Sequence, residues 1–427
     1  MTNKIPDYMG IACASGSFKN ISVNCLPFRA YWLIWNEWFR DENLQKSVKV
    51  SKGESNTVLE PMGQSTANPN YGLPSGISNW YDPAPRGKRY DYFCGALPWP
   101  QKGQAVDLPL GSTAPVVSSG NVPVLHSVPN GFSDNPVYAS QNNQHLYLHN
   151  AGTFNISSFV PQNEVSSYLS VDLSNASAIT INSLRQAFQL QRYYEKDARA
   201  GTRYNEKLQA HFGVTNPDAR LQRSEFLGSH SSMMNINPVT QTSSTDTTSP
   251  QGNLAAFGLN AQRYHAFTKS FSEFGYIIGL INVRADLTYQ QGVNKMWLRS
   301  DVLDFYWPSF AHLGEQTIQN IEIYCQGNDD DKKVFGYQER YAEYRYKPSL
   351  ITGQFRSTYK QPLDVWHLSQ KFASLPTLSD EFIQDHPPIS RVVAVPSYPH
   401  FLLDVKFNLK CIRPMPMFGI PGMMDHF

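Results

Sequence analysis

Four cations pose the first chemical question. Arg192, Lys196, Arg199 and Arg203 fall at i, i+4, i+7 and i+11, so on one helix they share a face. Such a stripe can meet a polyanion, because each Lys or Arg that neutralises a phosphate releases counterions. It can equally be a solvated face, partly balanced by the Glu195–Arg199 pair. A second group interleaves cations with rings: Arg340, Tyr341, Tyr344, Arg345, Tyr346 and Lys347. Rings stack on bases while Arg and Lys hold the backbone, which suits single-stranded nucleic acid. A buried aromatic strand with surface charges has the same pattern. The candidates for nucleic-acid contact are therefore Arg192, Lys196, Arg199, Arg203, Arg345 and Lys347. The short run Arg86-Gly87-Lys88-Arg89 reads as a solvated loop.

Other chemistry finds no anchor. His145 and His149 share a face of a strand or helix, but two histidines without a third ligand do not define a metal site. Asp329, Asp330 and Asp331 lack the oxygen spacing of a calcium loop. Asp301 and Asp304 are a carboxylate pair without a visible cleft. No GxxxxGK[ST], HExxH, GxSxG or post-strand GxGxxG occurs. Cys13, Cys25, Cys94, Cys325 and Cys411 form no CxxC and are odd in number, which favours reduced thiols over a disulfide scaffold or zinc site. No catalytic residue, cofactor or metal is expected.

The elements that must position these residues differ along the chain. From Pro27, the tryptophans and Phe39 recur at helical spacing and predict a buried helix within 24–45, its rings serving as core rather than as a ligand platform. Residues 48–95 read as irregular loops. Residues 101–178 hold few charges and weak periodicity, the pattern of an insertion of loops and short strands. A helical insertion spans 179–213, with Thr180 as N-cap, Ile181, Leu184 and Phe188 on an apolar stripe, Gly201 as a break and Gly213 as the end. Residues 228–253 carry one charge and predict an ordered, extended arm. Strands are expected at Phe274–Tyr289, Gln316–Gln326, Arg391–Val395 and Phe401–Cys411. The last alternates apolar and polar residues as a half-buried antiparallel strand does. Pro414, Pro416 and Pro421 make 413–427 an extended, docking tail.

Composition limits the classes. The 427 residues carry 36 Lys and Arg against 35 Asp and Glu, a net charge of +1, which excludes a globally basic nucleic-acid binder. Charged residues are 17%, below the usual ~25%, and aromatics are 13%. That balance suits a surface hidden against partners and a β-rich chain alike. No run is long and apolar enough to span a membrane, so no membrane insertion is expected, and the start MTNKIPDYMG shows no signal-peptide pattern.

Several long strings carry a resemblance: LPFRAYWLIWNEWFRDENLQ, LPWPQKG, TINSLRQAFQLQR, GTRYNEKLQAHFGV, PDARLQR, QTSSTDTTSPQGN, VFGYQERYAEYRYKPSLITGQFRS and RPMPMFGIPGMMDHF. Together, in order and across nearly the whole chain, they resemble the major capsid protein of the Microviridae, in its gokushovirus group of small single-stranded DNA bacteriophages. The resemblance implies a mainly β fold, one antiparallel eight-stranded jelly roll over 1–427 with long loop and helical insertions. It implies a non-enzymatic homo-oligomer forming a T=1 icosahedral shell around circular single-stranded DNA. It also implies that 101–178 builds a protrusion near the threefold axes that meets a host receptor, and that a small basic DNA-packaging protein is a partner. The expected location is the virion, after assembly in the bacterial cytoplasm. Relatives carry on the order of a hundred residues before the TNKIP string, holding the first strands of the roll, so the barrel is expected to be incomplete at its N-terminus. The alternative from another class is a jelly-roll carbohydrate-binding protein or glycosidase using Trp80 and Trp99.

Overall fold

The computed structural model describes residues 4–11, 22–53, 72–106, 116–118, 169–171, 181–217, 223–243, 247, 251, 254–286, 288–395 and 397–413. Cys13, His145, His149, Thr180, nearly all of 101–178 and residues 414–427 lie outside them. In chain order the main elements are α1 (Ile5–Tyr8), α2 (Leu26–Ile34), β1 (Val116–Ser118), β2 (Leu169–Val171), α3 (Ile181–Ala200), α4 (Tyr204–Phe212), β3 (Asn235–Thr240), β4 (Leu254–Leu259), β5 (Gln316–Gln319), β6 (Val334–Gln338) and α5 (Asp380–Ile383). The chain divides into two compact units: Met1–Pro98 with Arg223–Ala311 and Thr317–Phe427, and Trp99–Gln222 with His312–Gln316.

The first unit contains two aromatic cores. Asn24 accepts from the Leu26 amide at 2.9 Å and Pro27 occupies the first turn, so α2 starts where the sequence predicts. Its inner face buries Phe28, Tyr31, Trp32 and Trp35. Trp32 meets Trp35 edge-on at 5.9 Å and Trp80 at 5.4 Å, and its Nε1 donates to the Trp80 carbonyl at 3.2 Å. The helix widens into a π turn at Trp35–Phe39 and ends there, short of Gln45. Asp41 ends it by accepting from the Asn43 and Leu44 amides, a local side-chain bond that competes with the helical one. The second core joins Tyr92, Phe93, Ile318, Ile323, Phe335, Phe382 and Ile383. Paired backbone bonds of 2.8 Å between Leu97 and Tyr337 close it. The predicted loop region 48–95 therefore supplies core residues, Val48, Trp80, Tyr92 and Phe93 among them.

Several strand expectations are corrected. Phe274–Tyr289 and Phe401–Cys411 form no ladder with other described residues. Phe401–Cys411 is not half-buried: Leu402 is 97% and Phe407 82% exposed. Alternation decides which side chains share a face, but a strand's backbone groups need a neighbour, and none of the described residues supplies one. Gln316–Gln326 is strand only through β5, then turns as the Glu322 carboxylate takes the Gln319 amide at 3.0 Å. Arg391–Val395 gives way to a single 3₁₀ turn, Ile389–Arg391, after two prolines. The described residues hold three two-stranded sheets, β1–β2, β3–β4 and β5–β6, and not an eight-stranded roll.

In the second unit the predicted long helix is two. Gly201 adopts φ 90°, a left-handed conformation that ends α3 without the Cβ penalty, and α4 starts after Arg203. Asp197, 4% exposed, takes bonds from Lys207 Nζ and His211 Nε2, each at 2.8 Å, and so ties α3 to α4. Burial acts to raise the Asp197 carboxyl, but the bonds and charges of Lys207 and His211 outweigh it and hold it below its ordinary value. The expected apolar stripe is not sealed: Phe188 is 64% and Phe212 74% exposed.

Candidate nucleic-acid interface

The break at Gly201 dismantles the four-cation stripe. Arg192 and Lys196 lie exposed on α3. Arg199 is half-buried and grips Glu315, with Nε 3.1 Å from Oε1 and Nη2 on Oε2. Arg203 has left the helix and holds Glu206 at 2.9 Å, while its amide donates to the same carboxylate. Glu315 lies far away in sequence, so spacing alone could not show that Arg199 is neutralised. The reading missed Arg185, which is exposed seven residues before Arg192 and thus on the same helical face. Exposed Phe188 lies one turn on, so Arg185, Phe188, Arg192 and Lys196 form a face of three cations and one ring. The spacing of Arg185 was a signal available in the sequence.

The 340–347 group resolves differently. It is neither a strand nor an open stacking platform. Tyr341 sits at φ 62° and is 6% exposed, followed by a 3₁₀ turn at Ala342–Tyr344. The hydroxyls of Tyr341 and Tyr344 accept from the Trp307 and Tyr306 amides at 3.2 and 3.1 Å. Arg299 lies 4.2 Å over the Tyr344 ring, and Tyr346 stacks on Tyr92 at 5.2 Å. Arg345 pairs with Glu339, which leaves Lys347 as the exposed cation of the group without an ion pair among the described residues. Beside it the sequence reading missed a patch of half-exposed rings, Phe305, Tyr306 and Trp307.

The basic run at 86–89 is packed rather than solvated. Arg86 lies 4.8 Å over Phe39 and Lys88 4.2 Å over Phe382, with burial lowering the Lys88 ammonium. Arg89 is exposed and faces Asp286 at 3.3 Å. Trp80, at 5% exposure, is core and cannot stack on a sugar; Trp99 is half-buried with Lys102 above it at 5.8 Å. The buried Cys94 thiol is pushed up to about 12, by burial first and by the Asp91 charge second, so it is no thiolate nucleophile at neutral pH. Among the described residues no group of His, Cys, Asp and Glu could hold a metal ion, and no helix is long and apolar enough to cross a membrane.

Comparison with known proteins gives one consistent answer. Residues 1–423 match the model of a capsid protein (F protein) family. The chain is 43% identical to capsid protein VP1 of Chlamydia phage 1, covering 99% of this chain and 77% of that one. It is likewise 43% identical to capsid protein VP1 of Bdellovibrio phage phiMH2K, over 99% of this chain and 76% of the relative. Capsid protein VP1 of Spiroplasma virus 4 is 39% identical over 98% of this chain and 76% of its own length.

Proposed function

We propose, for a chain that belongs to the phage capsid protein (F protein) family, that it is the structural subunit of a T=1 icosahedral shell enclosing circular single-stranded DNA. The observation that carries this reading is the match over 1–423, with 39–43% identity to three VP1 capsid proteins. The role is non-enzymatic: many copies bury matching surfaces, and weak contacts sum to a closed shell. Low charge and uncovered apolar segments support this, since interfaces exclude Lys, Glu and Asp.

The face of Arg185, Phe188, Arg192 and Lys196 meets the genome on the inner surface, and Lys347, in the other unit, is a separate contact. A net charge of +1 cannot neutralise a genome in bulk, so local contacts of this kind must serve. Residues 101–178 form the outer insertion that meets a host receptor, and a small basic packaging protein is a further partner. The location is the virion, with assembly in the bacterial cytoplasm.

Electron microscopy of the purified chain, with nuclease protection of co-purified DNA, tests the reading. Closed particles of uniform size with protected single-stranded DNA are expected; monomers under every assembly condition would reject it. Replacing Arg185, Arg192 and Lys196 with Gln should lower the salt slope of single-strand binding by ~2, at ~0.7 for each phosphate contact. An unchanged slope would remove this face from the genome interface.

A further inference from the structure

The β3–β4 ladder is the visible part of a longer device. Asn235 stands opposite Leu259 and Thr240 opposite Leu254. The same register continues towards the base. Asn260 Nδ2 bonds Ser232 and the Met233 carbonyl at 2.7 and 2.9 Å. His230 stacks on Tyr264 at 4.3 Å. Gly228 lies against the Ala266 carbonyl where any Cβ would collide, and Glu225 pairs with Lys269 at 2.6 Å. Each step back on one strand is met by an equal step forward on the other. Residues 225–240 and 254–269 therefore form one two-stranded antiparallel arm, ~50 Å long at ~3.3 Å per residue.

The arm is rooted at one end. Ser224 donates its amide and hydroxyl to Glu37, and Arg223 lies 4.3 Å over Trp38. Beyond the root almost every residue is exposed. Met233 is 80%, Ile236 65%, Phe257 56% and Leu259 57% exposed, and they fall on both faces. A lone two-stranded ribbon is marginal in water and needs a further layer on an apolar face.

We infer that the arm of one copy docks on a second copy of this chain. The inference rests on the capsid reading and names one contact between its copies. Between Phe226 and Gln262 the only charged residue is Asp246, so the outer part of the arm has no cation with which to hold a nucleic acid; Arg263 and Lys269 stand near its base, and Lys269 is paired with Glu225. At ~50 Å by ~10 Å its two faces offer ~1,000 Å², against the ~800 Å² that each partner gives to a standard interface. A second copy also brings uncovered apolar surface of its own at Phe401–Ile412.

The test compares the full chain with two variants, Phe257→Asp with Leu259→Asp, and Val239→Lys, on one face of the arm. Sedimentation velocity reads association, electron microscopy reads shells, and circular dichroism reads the monomer. Expected are an unchanged melting transition and association weakened by at least ~100-fold in both variants. If the wild type builds shells and both variants build them equally well, the arm inference falls while the capsid reading stands. If the wild type forms only small oligomers, and both variants abolish them, the arm inference stands while the shell reading falls. A wild type that stays monomeric at every concentration defeats both. Loss of the melting transition in both variants would mean that the arm is packed within its own chain, and would also overturn the inference.

Discussion

Trp32 and Phe257 are both large rings among uncharged neighbours, yet Trp32 is fully buried and Phe257 is 56% exposed. The difference lies in what each backbone can close by itself. Helix α2 satisfies its own hydrogen bonds and needs only an apolar partner for one stripe, which Trp80 and Val48 supply. The arm spends its hydrogen bonds on one neighbouring strand and leaves two faces without a layer. Ring content is therefore a poor guide to burial; the number of layers available to each element decides it.

The strongest attack on this contrast is Trp32→Ala. Removing a fully buried indole should cost about 3–5 kcal/mol, read as a large fall in melting temperature; a loss below about 1 kcal/mol would mean that the core is no better packed than the arm. A smaller effect separates a closed polar region from an open apolar one. Because the Asp197 carboxyl is held low, its bonds stabilise the fold above the ordinary carboxylate value and are lost as pH falls through the native value. Melting should weaken as pH falls from the ordinary carboxylate range towards and through the lowered native value, and Asp197→Asn should flatten that part of the profile. An identical acid profile in the variant would show that Asp197 gains nothing from Lys207 and His211. The smallest effect is expected for Phe407→Asp. At 82% exposure Phe407 has little native packing to lose, so the monomer's melting temperature should stay within the scatter of surface changes, about 0.5 kcal/mol. Collapse of the fold would instead place Phe407 inside a closed sheet of its own chain.

Locally determined features were legible. Pro27 opened α2, Gly201 broke the long helix and Gly213 ended α4. Features set by distant partners were not. Nothing near Arg199 reveals Glu315, and nothing near Arg345 fixes Tyr341 at positive φ. Phe401–Cys411 reads as a strand because period-two alternation is local, while the ladder that would make it one is not. Of the cations picked from spacing, Arg192 and Lys196 lie exposed on α3, and Arg185 shares their face by the same spacing. The loss of Arg203 followed from the Gly201 break, whose consequence for the stripe was not drawn.

The π turn at Trp35–Phe39 carries Trp35 into the tryptophan core and hands Glu37 and Trp38 to the root of the arm. Core and arm thereby share a joint. A pull on the arm is borne by a helix whose inner face is buried among tryptophans, so whatever grips the arm's far end is gripping a fixed lever and not a loose thread.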